Sequence, residues 1–262
     1  MAVERKMKLL FAAIAEQYDS VNRVLSLGRD RKWRREAVEM LDEAIKRQSR
    51  VRTVNLIELA KAKDGELQKS TGGNEDETAG LRGRRVLDLA CGTGEMAAEI
   101  IAKTKGECSI ACLDLVPKML KIAEAKIGKT AGAQIEYAKA SAMSIPFAKD
   151  SFDAAVCAFG FRNFPESAAP LRQLRRVVKD GGRLCVVEFF KPKSRIMGFL
   201  VRAWIATAMF FIEDNAAEYR HLRSSISSFG GTGAFIKTAE ANHWRLVRIK
   251  RFFPICTILI FK

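Results

Sequence analysis

Apolar residues along this chain change their period from one region to the next. Over residues 1–45 they recur at helical spacing. Leu9, Leu10, Ala13, Ile14 and Tyr18 share one face, and Trp33, Ala37, Leu41 and Ile45 share another. This predicts an N-terminal helical cap, with a loop over residues 19–30 between its helices. Residues 46–82 lose the pattern. Lys, Glu, Gly, Ser and Thr dominate there, and S-T-G-G-N-E-D-E-T (70–78) has almost nothing to bury. Residues 64–80 therefore read as a disordered or surface insert, following a short helix at 54–62. From Arg85 onward, short apolar runs alternate with helical patterns. Strands are predicted at 85–90, 108–113, 134–139, 152–158 and 182–189, and helices at 95–104, 117–127 and 167–178. Such alternation builds an α/β fold of the Rossmann-like kind, a mostly parallel sheet with helices on both faces. After Pro192 the order changes. One apolar segment (196–212) leads to a helical stretch near 232–243 and then to two strand-like runs, at 245–250 and 255–261.

Composition leaves this picture of one domain of 262 residues standing, since 48% hydrophobic content suffices for a full core. Charge adds to it. A formal net charge of +15 favours an anionic surface, nucleic acid or anionic lipid, over a neutral one, or else gives a merely solvated face. The six cysteines lie scattered in apolar runs without a C-x-x-C pair, and with only two histidines present a metal site is not expected. Buried, reduced thiols are. The opening M-A-V-E-R-K-M-K-L-L-F lacks the apolar run of a signal peptide, so the expected location is cytoplasmic. Ile196–Ile212 is short for a membrane span and carries Arg202 near its middle. It reads as a buried helix, or as an interfacial one whose edge residues Lys191, Lys193 and Arg195 meet lipid headgroups.

Chemistry concentrates at R-V-L-D-L-A-C-G-T-G-E-M (85–96), where a buried strand meets a glycine-rich turn and a helix. Gly92 and Gly94 allow a tight turn and a close approach to a ligand. The loose G-x-G-x-x-G/A pattern alone would also admit a dinucleotide. Asp88 and Glu95 disfavour that, because carboxylates beside the loop repel a pyrophosphate. They suit a cationic ligand without phosphate, such as S-adenosylmethionine with its ammonium and sulfonium. Asp114, at the end of the next strand, can accept both ribose hydroxyls. The plainer reading has Asp88 cap the loop and Asp114 cap the following helix.

Further blocks make the pattern specific. F-A-A-I-A-E-Q-Y-D-S-V-N-R-V-L-S-L-G-R-D-R-K-W-R-R (11–35), V-L-D-L-A-C-G-T-G, S-I-P-F-A-K-D-S-F-D-A-A-V-C-A-F-G-F-R-N (144–163) and G-G-R-L-C-V-V-E-F-F-K-P (181–192) resemble the ubiquinone/menaquinone biosynthesis C-methyltransferases. The resemblance implies a class I methyltransferase fold, a mostly parallel seven-stranded sheet with an antiparallel C-terminal strand, S-adenosylmethionine as methyl donor, no metal, and a polyprenylated quinol acceptor, with demethylmenaquinol preferred. It carries cofactor binding to Thr93, Asp114, Ser141 and Ala142, and places Tyr18, Arg162 and Asn163 at the reacting end of the pocket. Residues 192–230 become the substrate-side helical segment. A lipid-tailed substrate adds peripheral contact with anionic membrane lipid; a homodimer stays open, and nucleic acid is not an expected partner, since no N-P-P-Y-type block is present to stack a flipped base.

The chain also departs from the family. Ser141 stands where Asp or Asn is usual, Ala158 where many members have Ser, Arg223 and Gly230 replace two prolines, and the last strand lacks a histidine. These changes keep two alternatives open, a non-catalytic cofactor-binding partner in quinone synthesis and a methyltransferase for another small hydrophobic acceptor. For catalysis, Arg162 is the expected stabiliser of a ring phenolate, Asn163 or Tyr18 would orient the hydroxyl, and His221 is a candidate base.

Overall fold

The computed structural model describes residues 2–63, 80–130, 132–192, 194–210, 224–226, 228–253 and 255–262. Helices α1 (Ala2–Ile14), α2 (Tyr18–Leu25) and α3 (Asp30–Lys63) come first. Strands and helices then alternate as β1 (Arg85–Leu89), α4 (Glu95–Thr104), β2 (Ser109–Asp114), α5 (Pro117–Ile127) and β3 (Gln134–Lys139). Next come β4 (Phe152–Ala158), a 3₁₀ turn (Phe161–Asn163), α6 (Ala168–Val177) and β5 (Val178–Phe189). The order closes with α7 (Arg195–Phe210), α8 (Thr232–Ala241), β6 (Leu246–Phe252) and β7 (Cys256–Phe261). Among the described residues these strands form one seven-stranded sheet in the order β3-β2-β1-β4-β5-β7-β6. Neighbours from β3 to β5 run parallel, and β7 lies antiparallel between β5 and β6.

The central strands read as continuous apolar runs because both faces of the sheet are covered. On one face Val86, Cys112 and Ile258 pack with Trp33, Leu41 and Ile100 of α3 and α4. On the other, Leu87, Leu184 and Leu259 pack with Leu171 and Leu174 of α6, Phe235 of α8, and Trp244. Trp244 is fully buried and its indole N–H donates to the Leu171 carbonyl at 3.0 Å, so the aromatic bulk is buried without stranding its polar atom. All six cysteines are buried and free.

The N-terminal region differs from the sequence reading. Residues 19–30 hold α2 rather than a loop, and only 26–29 separate it from α3. The expected short helix at 54–62 is part of α3, which runs unbroken to Lys63. The physical reason is that residues 46–63 contain no Gly or Pro, and the first such breaker is Gly65. Residues 64–79 of the expected insert, and His221 and Arg223, lie outside the described residues. The chain rejoins the sheet layer at Leu81, whose N–H donates to the buried Asp42 carboxylate of α3 at 2.9 Å. On α1 the inward face is also shifted: Leu9 is 66% exposed and Ala13 is exposed, whereas Met7 and Ile14 are buried.

Candidate active site

Strand order reverses at β1, whose neighbours β2 and β4 carry the chain to opposite sides of the sheet. Loops leaving the carboxyl ends of strands diverge at such a point and open a crevice. Ala90 and Gly92 wall it after β1, Asp114, Leu115 and Val116 after β2, Ala140 and Ala142 after β3, and Phe159, Gly160 and Asn163 after β4. Glu4, Met7, Lys8 and Phe11, one face of α1 at helical spacing, roof it, and Tyr18 stands at the start of α2. The cleft together with the open solvent at its mouth comprises about 730 Å³.

Two residues of this wall hold unusual backbone. Ala90 (φ 56°) and Phe159 (φ 60°) are left-handed at the ends of β1 and β4, a conformation costly for non-glycine residues and concentrated at functional sites. Gly92 is left-handed too (φ 54°), and a Cβ there would meet only the Tyr18 ring, at 3.8 Å. Its bare backbone therefore faces the cleft. Gly94 serves packing instead, since a Cβ would sit 3.1 Å from that of Ala123 and stop α4 from seating on α5.

Asp114 is the carboxylate built into the wall. Gly92 N–H donates to its Oδ2 at 2.9 Å and Val116 N–H to its Oδ1 at 2.8 Å, which fixes the group across the glycine loop. Burial still raises its pKa above the usual carboxylate value, against the pull of those N–H donors. Leu115 N–H pulls on it as well, and the carboxylate still has acceptor capacity left for a ribose hydroxyl. Thr93 Oγ1 donates to Asp19 of α2 at 2.6 Å, and Lys126 bridges Asp19 and Glu95 at 2.6 and 2.5 Å. The glycine loop is thus tied to α2 and α5, and the Glu95 carboxylate is committed to a lysine.

Asp88 lies behind the loop rather than among the cleft-lining residues. It is fully buried and its Oδ2 accepts the Ala97 N–H at 3.1 Å, which joins β1 to α4. Burial pushes its carboxyl up to about 7, although the Ala97 N–H and Arg34 pull the other way. Ser141 stands at the edge of the cleft, where its hydroxyl donates to Glu4 and accepts the Met143 N–H at 3.0 Å.

Of the residues expected at the reacting end, Tyr18 and Asn163 line the cleft and Arg162 does not. Arg162 is buried and its Nη1 donates to Glu188 Oε1 at 2.6 Å and to the Phe159 carbonyl at 2.9 Å. Glu188 Oε2 also accepts the Arg162 N–H at 3.2 Å. With the guanidinium over the Phe159 and Phe189 rings, this pair pins the left-handed turn of β4 onto β5. Glu188 escaped the sequence reading, though a lone acid inside L-C-V-V-E-F-F signals a paired buried charge. Glu4 and Lys8 left no motif.

Asp114 offers acceptors for a ribose and the apolar side chains beside it suit a flat ring, whereas Asp88 and Glu95, expected beside a cationic ligand, are engaged behind the loop and with Lys126. The ubiE/COQ5 methyltransferase family model matches residues 1–62 and 67–254. The chain belongs to that family. A demethylmenaquinone methyltransferase of Thermus thermophilus is 32% identical over 224 residues, covering 84% of each chain. A ubiquinone/menaquinone biosynthesis C-methyltransferase of Syntrophotalea carbinolica is 34% identical over 243 residues, 91% of this chain and 86% of its relative. Among solved structures, a SAM-dependent methyltransferase of Thermotoga maritima matches with a TM-score of 0.57 and 14% identity over 98% of this chain and 99% of its own. Another, from Aquifex aeolicus, gives 0.52 and 18% identity over 70% and 84%. At such identity these two structures speak for the methyltransferase's fold, which is the class I architecture expected.

Proposed function

We propose that this methyltransferase moves a methyl group from S-adenosylmethionine to a ring carbon of a polyprenylated quinol, with demethylmenaquinol as acceptor. One observation carries the reading: a ubiE/COQ5-family chain whose cleft opens at the strand-order reversal, with the Asp114 carboxylate fixed in its wall. The names of its relatives supply the quinone. When bound, S-adenosylmethionine supplies an electrophilic methyl carbon on its sulfonium.

The protein's own share is position and charge. A ring carbon becomes nucleophilic as the neighbouring hydroxyl gives up its proton, and it must then be held in line with the methyl group. Tyr18 and Asn163 offer a hydroxyl and an amide in the cleft wall to orient the ring oxygen. Arg162 acts one step removed, as a positioning residue that fixes the turn carrying Asn163 through Glu188. His221 stays the candidate base. The prenyl tail suits a protein resting on a membrane surface. Ile196, Phe199 and Leu200 of α7 are 75%, 64% and 50% exposed, beside Arg195. No described helix is long and apolar enough to cross a membrane.

Methyl-labelled S-adenosylmethionine, offered with reduced short-chain demethylmenaquinone and in parallel with the matching benzoquinol, tests the reading. The expected result is label in the naphthoquinol product. Label only in the benzoquinol would change the acceptor. No label in either, with the cofactor bound, would leave a non-catalytic partner or another acceptor.

A further inference from the structure

Glu4 is an acid in the roof of a cleft whose neighbouring walls, Leu115, Met119 and Ala142, are apolar. Among the described residues its hydrogen-bond partner is Ser141, and the proton count at that contact is informative. The Ser141 hydroxyl accepts the Met143 N–H and has a single proton, which it gives to Glu4. Ser141 therefore has nothing further to donate, and its remaining acceptor capacity is weak. The Glu4 carboxylate has spare lone pairs and a full negative charge, and it lies in the cleft wall beyond the end of β3.

The geometry points to Glu4 as the acceptor for the exocyclic amine of the cofactor's adenine, with Ser141 as the anchor that holds it. A cofactor with its ribose on Asp114 and its amino-acid tail at the glycine loop of β1 must lay its base on the far side of β2, over the end of β3. There the apolar side chains suit the base's faces, and the amine needs an acceptor at its edge. Glu4 is the carboxylate at that edge. It comes from α1, so the helix both roofs the base and reads it. This rests on S-adenosylmethionine being the cofactor, and the test separates the two claims.

Calorimetric titration of the full chain compares S-adenosylhomocysteine with its analogue bearing unsubstituted purine in place of adenine, so neither ligand requires turnover. Glu4→Ala is expected to weaken the adenine ligand about tenfold or more, as loss of a charged hydrogen bond does, and to leave the purine ligand within about twofold. In the Glu4→Ala background, Ser141→Asp should recover most of the loss, because it returns a carboxylate to the same edge. Equal losses for the two ligands would overturn the proposal and make Glu4 a general support for α1. Tighter binding after Glu4→Ala would also overturn it, making the Ser141 contact a latch that the cofactor displaces. If the unaltered protein bound neither ligand, the cofactor reading would fall, and the proposal with it.

Discussion

Arg162 and Glu188 show how much a residue's neighbours alter its role. Two charges taken out of water cost several kcal/mol each, and their attraction offsets this only while both are present. Glu188 is fully buried, so Arg162→Ala leaves a carboxylate without its cation. The variant should lose about 3–5 kcal/mol of stability in urea denaturation. Arg162→Met with Glu188→Leu should recover most of it, and a phenolate-binding role alone would predict no such recovery. Asp88 makes a second residue-scale prediction. Its carboxyl rises from the usual 3.8 to about 7 in the folded protein, so the folded state holds the proton more tightly than the unfolded chain. Stability is then lost as pH rises from about 4 to about 7, with a slope approaching about 1.4 kcal/mol per pH unit. Asp88→Asn, which keeps an oxygen for the Ala97 N–H, should flatten that slope in denaturation curves taken between pH 5 and 8. At this scale the motif made Gly92 and Asp114 legible as cleft-lining positions, because a tight turn at a strand end restricts them, whereas Thr93 turns its hydroxyl to Asp19. It could not tell a carboxylate facing the cleft from one behind it, and so Asp88 and Arg162 read as ligand-facing.

At the scale of elements, periodicity worked best where burial is strict. The limits of α4, α5, β3 and β4 match the reading to the residue; α4, α5 and β4 belong to the doubly covered part of the sheet, whereas β3 is its outermost strand and has no buried residue. Periodicity worked least well in α1 and α2, which border the cleft, and in the second half of α3, where residues 46–63 carry no apolar period although the first half packs on the central sheet. The helix α1 is amphipathic toward a cleft, so its inner face carries Glu4 and Lys8 beside Met7 and Phe11, and a count of apolar residues selects the wrong side. A helix whose inner face lines a ligand site gains contacts when the ligand binds. Amide hydrogen exchange should therefore slow across residues 2–14 on adding S-adenosylhomocysteine, while β1 and β4 in the sheet centre stay protected throughout. Unchanged exchange in α1 would mean that the helix does not touch the cofactor.

The proposed reaction requires the whole molecule to bring a water-borne cofactor and a lipid-tailed acceptor to one cleft, and a membrane-facing surface is part of that proposal. The +15 net charge and the apolar side chains exposed on α7 answer the second need together. α7 follows the carboxyl end of β5, the side of the sheet on which the cleft opens, and it packs against α2, whose first residue Tyr18 lines that cleft. Val24 of α2 and Leu27 just beyond it are also exposed, at 44% and 58%. A face of this kind binds in two parts. Apolar side chains enter the headgroup boundary, and basic residues attract anionic lipid, each contributing about 1 kcal/mol near the surface at physiological salt. The protein should therefore sediment with vesicles of mixed phosphatidylglycerol and phosphatidylcholine and only weakly with phosphatidylcholine alone. Phe199→Asp, on an exposed face where folding is little affected, should reduce binding to the mixed vesicles about tenfold, because it removes apolar area and adds a like charge to the lipid's. Turnover of a short-chain, water-soluble quinol should be unchanged in the same variant, and only the long-chain acceptor should suffer. Equal binding to both kinds of vesicle, or equal loss on both acceptors, would separate this face from the membrane and return the charge to the solvent.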